Sequence, residues 1–90
     1  GGIANYDPKL PLDYYGVSEL ACYREDYTKP KFNEPGRYLV TGHTPTVYID
    51  SYSRGRIYYN HDHIAIDCGA VFDLGLGCLC LDTMEEFYVN

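Results

Sequence analysis

The stretch Tyr38-Leu39-Val40-Thr41-Gly42-His43-Thr44-Pro45-Thr46 constrains the fold more than any other part of the sequence. Tyr38 to Thr41 is rich in β-branched and aromatic residues and reads as a short strand. Gly42 frees the backbone to turn, and Pro45 biases Thr44 towards an extended conformation. The chain must therefore leave the sheet at Gly42 and loop, carrying one imidazole, His43, just past the strand end. Architectures that mix helices and sheets place ligand-binding groups at such positions. A lone His beside a Gly is also a common loop or core residue, so the stretch gains a function only through what surrounds it.

Ninety residues make at most one domain, and a chain of that size buries only roughly 60–65% of its unfolded surface. Eleven Tyr against three Phe and no Trp give much of the apolar bulk a hydroxyl that needs a partner or water. A Tyr-rich sheet with one wet face fits that composition. The net charge of -6 argues against nucleic acid as a partner, because a phosphate-backbone binder needs clustered Lys and Arg to release counterions. No apolar run approaches the roughly 20 residues of a membrane span, so no membrane is expected either. The sequence starts on Gly1-Gly2 without an initiator Met, which points to a processed or truncated start.

Cys22, Cys68, Cys78 and Cys80 include no Cys-x-x-Cys pair. Cys78 and Cys80 lie two apart in an apolar run, which on a strand puts both sulfurs on one face. Reduced thiols acting as small hydrophobes are expected, and with them a cytoplasmic setting.

Residues 1–37 read as irregular with one short helix, which Ser18 caps and which runs through Glu19 to Arg24. Residues 38–90 read as β-rich, with further strands at Val47–Ile49, Arg56–Tyr59, His63–Asp67, Cys78–Asp82 and Glu86–Val89. Ser53-Arg54-Gly55 and Asn60-His61-Asp62 are expected hairpin connections, Leu74-Gly75-Leu76-Gly77 a glycine-spaced turn, and Asp82-Thr83-Met84-Glu85 the closing turn. The apolar patterns of His63–Asp67 and Cys78–Leu81 place both strands centrally in a sheet covered on both faces. One short helix cannot supply that cover, so the second face is expected to be covered by sequence outside these residues or by a partner chain.

Three blocks in register resemble a known family: Gly42-His43-Thr44-Pro45-Thr46, Ile64-Ala65-Ile66-Asp67-Cys68-Gly69-Ala70-Val71-Phe72, and Cys78-Leu79-Cys80-Leu81-Asp82-Thr83. In order and spacing they are similar to the C-terminal part of bacterial calcineurin-like metallophosphoesterases of the serine/threonine protein phosphatase type. Upstream, Asp7-Pro8 through Leu12 and Tyr23 to Tyr27 look like the family's approach to a Trp-x-Arg segment, with Cys22 standing where the Trp would be. The resemblance implies an α+β chain, mostly β-sheet with one short helix, forming the C-terminal part of a four-layer α/β-β/α sandwich. Residues 1–90 would then be a single incomplete domain.

The implied activity is phosphomonoester hydrolysis by two divalent metal ions of the Mn, Fe or Zn type, which activate a bridging water and clamp the phosphoryl oxygens. His43 would supply one metal ligand and Arg24 a phosphate contact, although the Cys22 departure bears on Arg24. On the residues themselves, Asp67 could orient that metal site from behind its ligands, and Thr44 could either place its hydroxyl near the site or simply close the loop. The family's Asp-x-His, Gly-Asp-x-x-Asp-Arg and Gly-Asn-His-Glu signatures are absent from these residues. One imidazole does not hold a dinuclear centre, so the isolated chain is expected to bind no metal tightly and to be inactive. The implied partners are a phosphorylated substrate, phosphoprotein or nucleotide in type, and the missing N-terminal half of the domain. Self-association through uncovered sheet surface is a further expectation.

Other readings stay open on the residues alone. His61-Asp62-His63 has the spacing of a small metal clip, and equally that of a hairpin turn whose residues tolerate tight backbone angles. Asp67 can as well accept backbone hydrogen bonds in a turn. The alternative function is a non-catalytic protein-interaction domain with a Tyr-rich surface and a structural His43.

Overall fold

A computed structural model describes residues 1–89, which form a small α+β fold with two short α-helices and two small sheets. The first sheet has three strands, β1 (Leu39–Thr41), β2 (Tyr58–Asn60) and β3 (His63–Ala65), in the order β1-β3-β2. β1 runs parallel to β3, pairing Leu39 with His63 and Thr41 with Ala65, while β2 is antiparallel to β3. β4 (Leu76–Cys80) and β5 (Glu85–Val89) make a separate antiparallel hairpin. The helices are α1 (Val17–Ala21) and α2 (Thr46–Ile49).

β3 is buried on both faces: His63, Ile64 and Ala65 are each 1% exposed. Ile64 points towards Ile57 and Cys68, against which Leu79 and Tyr88 of the hairpin pack. The opposite face carries His63, which stacks on Tyr27 at 5.0 Å and shares a 2.8 Å hydrogen bond with Thr41. Tyr58 on that face donates its hydroxyl to the Tyr27 carbonyl. Cover for the second face of β3 thus comes from the irregular segment around Tyr27, and not from outside these residues. Sequence pattern missed it because a loop held by aromatic stacking and Asp62 has no periodicity to read.

Asp62 fixes that loop. Its carboxylate accepts the backbone N–H groups of Lys31, Phe32 and Asn33 at 2.7, 2.6 and 2.8 Å, satisfying donors that no strand or helix serves. Glu25 and Lys31 clamp the start of the chain: Glu25 accepts from Ile3 N–H at 2.6 Å, and Lys31 Nζ donates to the Ile3 carbonyl at 2.6 Å.

Several local expectations shift. Val47–Ile49 lies in the helix α2, not in a strand. Pro45 presets the helix entry, Thr46 buries its hydroxyl against the Ser53 and Arg56 carbonyls, and Asp50 then accepts from Tyr52 N–H to start a 3-10 turn. Ser53-Arg54-Gly55 consequently follows helical turns and joins no two strands. The first helix starts two residues earlier than Ser18 capping predicts, because the Glu19 carboxylate accepts the Gly16 N–H at 3.0 Å and makes Gly16 the cap, and it ends at Ala21, short of Arg24. β4 begins at Leu76, inside the predicted glycine-spaced turn, and belongs to the outer hairpin, not to the centre of a two-sided sheet.

Candidate functional site

β1 and β3 run parallel, so their C-terminal ends open on the same edge of the sheet. Ile66 N–H donates to the Thr41 carbonyl at 2.9 Å, holding the two exits side by side. His43 leaves from one exit and Asp67 from the other. The residue that bends the backbone is His43 itself, with φ +70°, and not Gly42, which lies outside the left-handed region. Thr44 N–H donates back to the Gly42 carbonyl at 2.8 Å, closing a three-residue γ-turn of the rare positive-φ kind around His43. Such a conformation costs a non-glycine residue of order 1–3 kcal/mol and persists only where the surroundings impose it. Here the Pro45-led helix entry and the β1–β3 ladder fix both sides of the turn.

The exposed ring of His43 opens on a polar cleft of about 200 Å3 shared with Gly1, Cys22, Arg24 and Thr44. Two backbone bonds bring the Gly1 end there: Gly2 N–H donates to the Leu20 carbonyl at 2.9 Å and Ala4 N–H to the Glu19 carbonyl at 3.0 Å. Arg24 and Cys22, just beyond α1, complete the wall. Three residues singled out in the sequence, Arg24, His43 and Thr44, therefore meet in one concavity, and Cys22 joins them.

Asp67 does not line this cleft. Its carboxylate accepts the Gly69 N–H at 3.0 Å, and its carbonyl accepts the Thr46 N–H at 2.8 Å. It ties the end of β3 to the start of α2, which is the turn role that the sequence left open. His61 and His63 do not converge. His61 sits exposed in the hairpin turn with φ +54°, while His63 is buried in β3. Burial drives the His63 pKa down; Glu25 and Asp62 oppose that shift, and Lys31 adds to it.

Among the described residues, no three of His, Cys, Asp and Glu converge in a group able to hold a metal ion. These residues alone do not fit a dinuclear centre, a statement that concerns this stretch of chain only. All four cysteines are free thiols. Among the described residues no helix is long and apolar enough to cross a membrane.

Comparison with protein-family models, with curated proteins and with solved structures finds no match.

Proposed function

We propose that the chain is the C-terminal part of a calcineurin-like phosphomonoesterase, in which His43 is one ligand of a metal site completed by residues outside this sequence. The observation that supports it most is the strained turn at His43, held at the C-terminal edge of parallel strands and facing a cleft that Arg24 shares. A positive-φ histidine fixed by ladder and helix on both sides is the kind of backbone that functional sites retain. Arg24 would meet the phosphate and Thr44 would brace the loop. The substrate is a phosphomonoester of phosphoprotein or nucleotide type.

The test joins these residues to whatever the parent reading frame encodes upstream and measures metal content and p-nitrophenyl phosphate hydrolysis. Two bound divalent ions and turnover are expected, with His43→Ala losing metal and at least about 100-fold in kcat, since even residues behind metal ligands are worth 10–100-fold. The 90-residue chain alone is expected to show no turnover. An upstream sequence without Asp-x-His and Gly-Asp blocks would sink the reading.

A second reading, a protein-interaction module, is favoured by one observation. Tyr48 and Phe72 meet edge-to-face at 6.1 Å on the surface, and Val71 and Tyr52, near them in the chain, are 81% and 96% exposed. Exposed aromatic groups of this size mark binding surfaces. Absence of the upstream blocks would leave this reading standing.

A further inference from the structure

Residues 26–30 form a short flap between two anchors. On one side the buried Glu25 accepts the Ile3 N–H at 2.6 Å; on the other, Lys31, Phe32 and Asn33 give their N–H groups to the Asp62 carboxylate. Between the anchors the flap bonds to itself, the Asp26 carboxylate accepting the Thr28 N–H at 2.9 Å and the Thr28 hydroxyl at 2.6 Å. Within these residues only Tyr27 is not exposed. Its ring stacks on His63 at 5.0 Å and 19°, and its carbonyl accepts the Tyr58 hydroxyl at 3.3 Å. The flap is thus a small unit fastened to the sheet through Tyr27, and the surface on which Tyr27 rests is a titratable ring.

A neutral imidazole suits this seat and a charged one does not. The neutral ring shares its 2.8 Å bond with Thr41 through Nε2. An added proton turns both ring nitrogens into donors. Thr41 serves Nε2, so the second N–H and the charge need water, which a ring 1% exposed does not meet until Tyr27 moves. Burial disfavours the charged ring most; Glu25 and Asp62 favour it, and Lys31 and the Gly1 amino group oppose it. Both carboxylates are already engaged, Glu25 by Ile3 and Lys31, Asp62 by its three N–H groups. On the flap itself Asp26 and Lys29 pair with each other at 3.9 Å on the surface. We propose that residues 26–30 are an acid-opened flap: when His63 takes a proton from solvent, Tyr27 lifts off β3 and the ring is hydrated, while Glu25, Lys31 and Asp62 keep both ends of the flap in place. Opening begins below the ordinary histidine value of about 6.5, uncovers His63 and Thr41 on the second face of the sheet, and reverses as pH rises. The inference does not depend on the phosphoesterase reading, because His63 lies outside the His43 cleft.

The test is a proton NMR titration of the 90-residue chain from about pH 7.5 to about pH 5, the range in which histidine titrates, following the His63 Hε1 resonance, the Tyr27 ring and amide exchange. The Tyr27–His63 nuclear Overhauser contact should be lost along the same curve on which His63 gains its proton. The amides of Ile3, Lys31, Phe32, Asn33 and Ile64 should stay protected throughout. His63→Gln should hold Tyr27 in one state over the whole range, and Tyr27→Ala should raise the His63 midpoint towards 6.5. A His63 ring still neutral at the acid end overturns the proposal, as does a protonated ring with its Tyr27 contact intact. Loss of protection at the anchors and Ile64 together with the contact would mean unfolding and not a flap. A transition that persists in His63→Gln would assign it to Glu25 or Asp62 instead. If His63→Gln does not fold, Tyr27→Ala decides: an unchanged His63 midpoint overturns the flap.

Discussion

His63 and Asp62 are neighbours with opposite electrostatic fates. Burial lowers the pKa of His63 in the fold, whereas in the unfolded chain it titrates near 6.5. Between the folded and unfolded values the unfolded state binds the extra proton, so stability falls as pH drops from about 7 through 6.5. Urea midpoints measured from pH 7.5 to 5 should show this slope, and His63→Gln, which keeps a partner for Thr41, should flatten it. An unchanged slope would refute the assignment. For Asp62, burial pulls the pKa up, but the N–H groups of Lys31, Asn33 and Phe32 together outweigh it and leave the value lowered. Its stabilisation is present above the unfolded value of about 3.9 and disappears as pH falls through the lower folded value. Asp62→Ala strands three backbone donors and should cost about 3 kcal/mol, read as a lower urea midpoint, with Asp62→Asn costing less. The sequence showed Asp62 only as a hairpin residue, because its partners lie about thirty residues away.

The β4–β5 hairpin docks on the sheet through a few side chains. Tyr88 hydroxyl accepts the Ile57 N–H at 3.1 Å and donates to Glu86, which also accepts from Tyr59 at 2.5 Å. Arg56 lies over the Tyr88 ring at 4.7 Å. The approach is close enough that Gly77 has no room for a side chain: an added Cβ would meet Cys68 Sγ at 2.7 Å and Tyr88 at 3.3 Å. Gly77 reads in sequence as a turn glycine and is in fact a strand glycine kept for that contact. Gly77→Ala should therefore destabilise by about 1–3 kcal/mol and raise hydrogen exchange across β4 and β5 before the rest of the chain. Uniform loss of protection would mean that the hairpin is not a separate unit. The short strands, and the turns at Asn60-His61-Asp62 and Asp82 to Met84, were legible from β-branched runs and Asn, Asp and Gly punctuation, whereas the turns expected at Ser53-Arg54-Gly55 and Leu76-Gly77 were not where the sequence put them. α2 was not legible either, since Thr46-Val47-Tyr48-Ile49 has strand propensity and only the Pro45 entry and the buried Thr46 hydroxyl override it.

For the whole molecule, the surface is larger than the mass requires. The solvent-accessible area is 6127 Å2, against about 5,400 Å2 for a monomer of this mass. The radius of gyration is 13.4 Å, against about 12 Å for a compact chain of this length. Much apolar surface lies open on the outer face of the hairpin, where Leu76, Phe87 and Val89 are 61%, 51% and 68% exposed. Size-exclusion chromatography with light scattering should show mass rising with protein concentration, and Phe87→Lys should return the chain to a monomer. A monomer at every concentration would count against an uncovered sheet surface.

The sequence by itself located the strands around Leu39–Thr41, Tyr58–Asn60, His63–Ala65, Cys78–Cys80 and Glu85–Val89, though not the helix at Thr46–Ile49, and it determined that His43 sits just past a strand end and that Cys78 and Cys80 share a face. All of these follow from local propensity and the two-residue period of a strand. Only the tertiary structure decided that Arg24, Cys22 and Thr44 join His43 in one cleft, that Asp67 serves a turn, and that the Tyr27 segment covers β3. Those relations depend on hydrogen bonds and stacking between residues far apart in the chain, which leave no period or local composition to read.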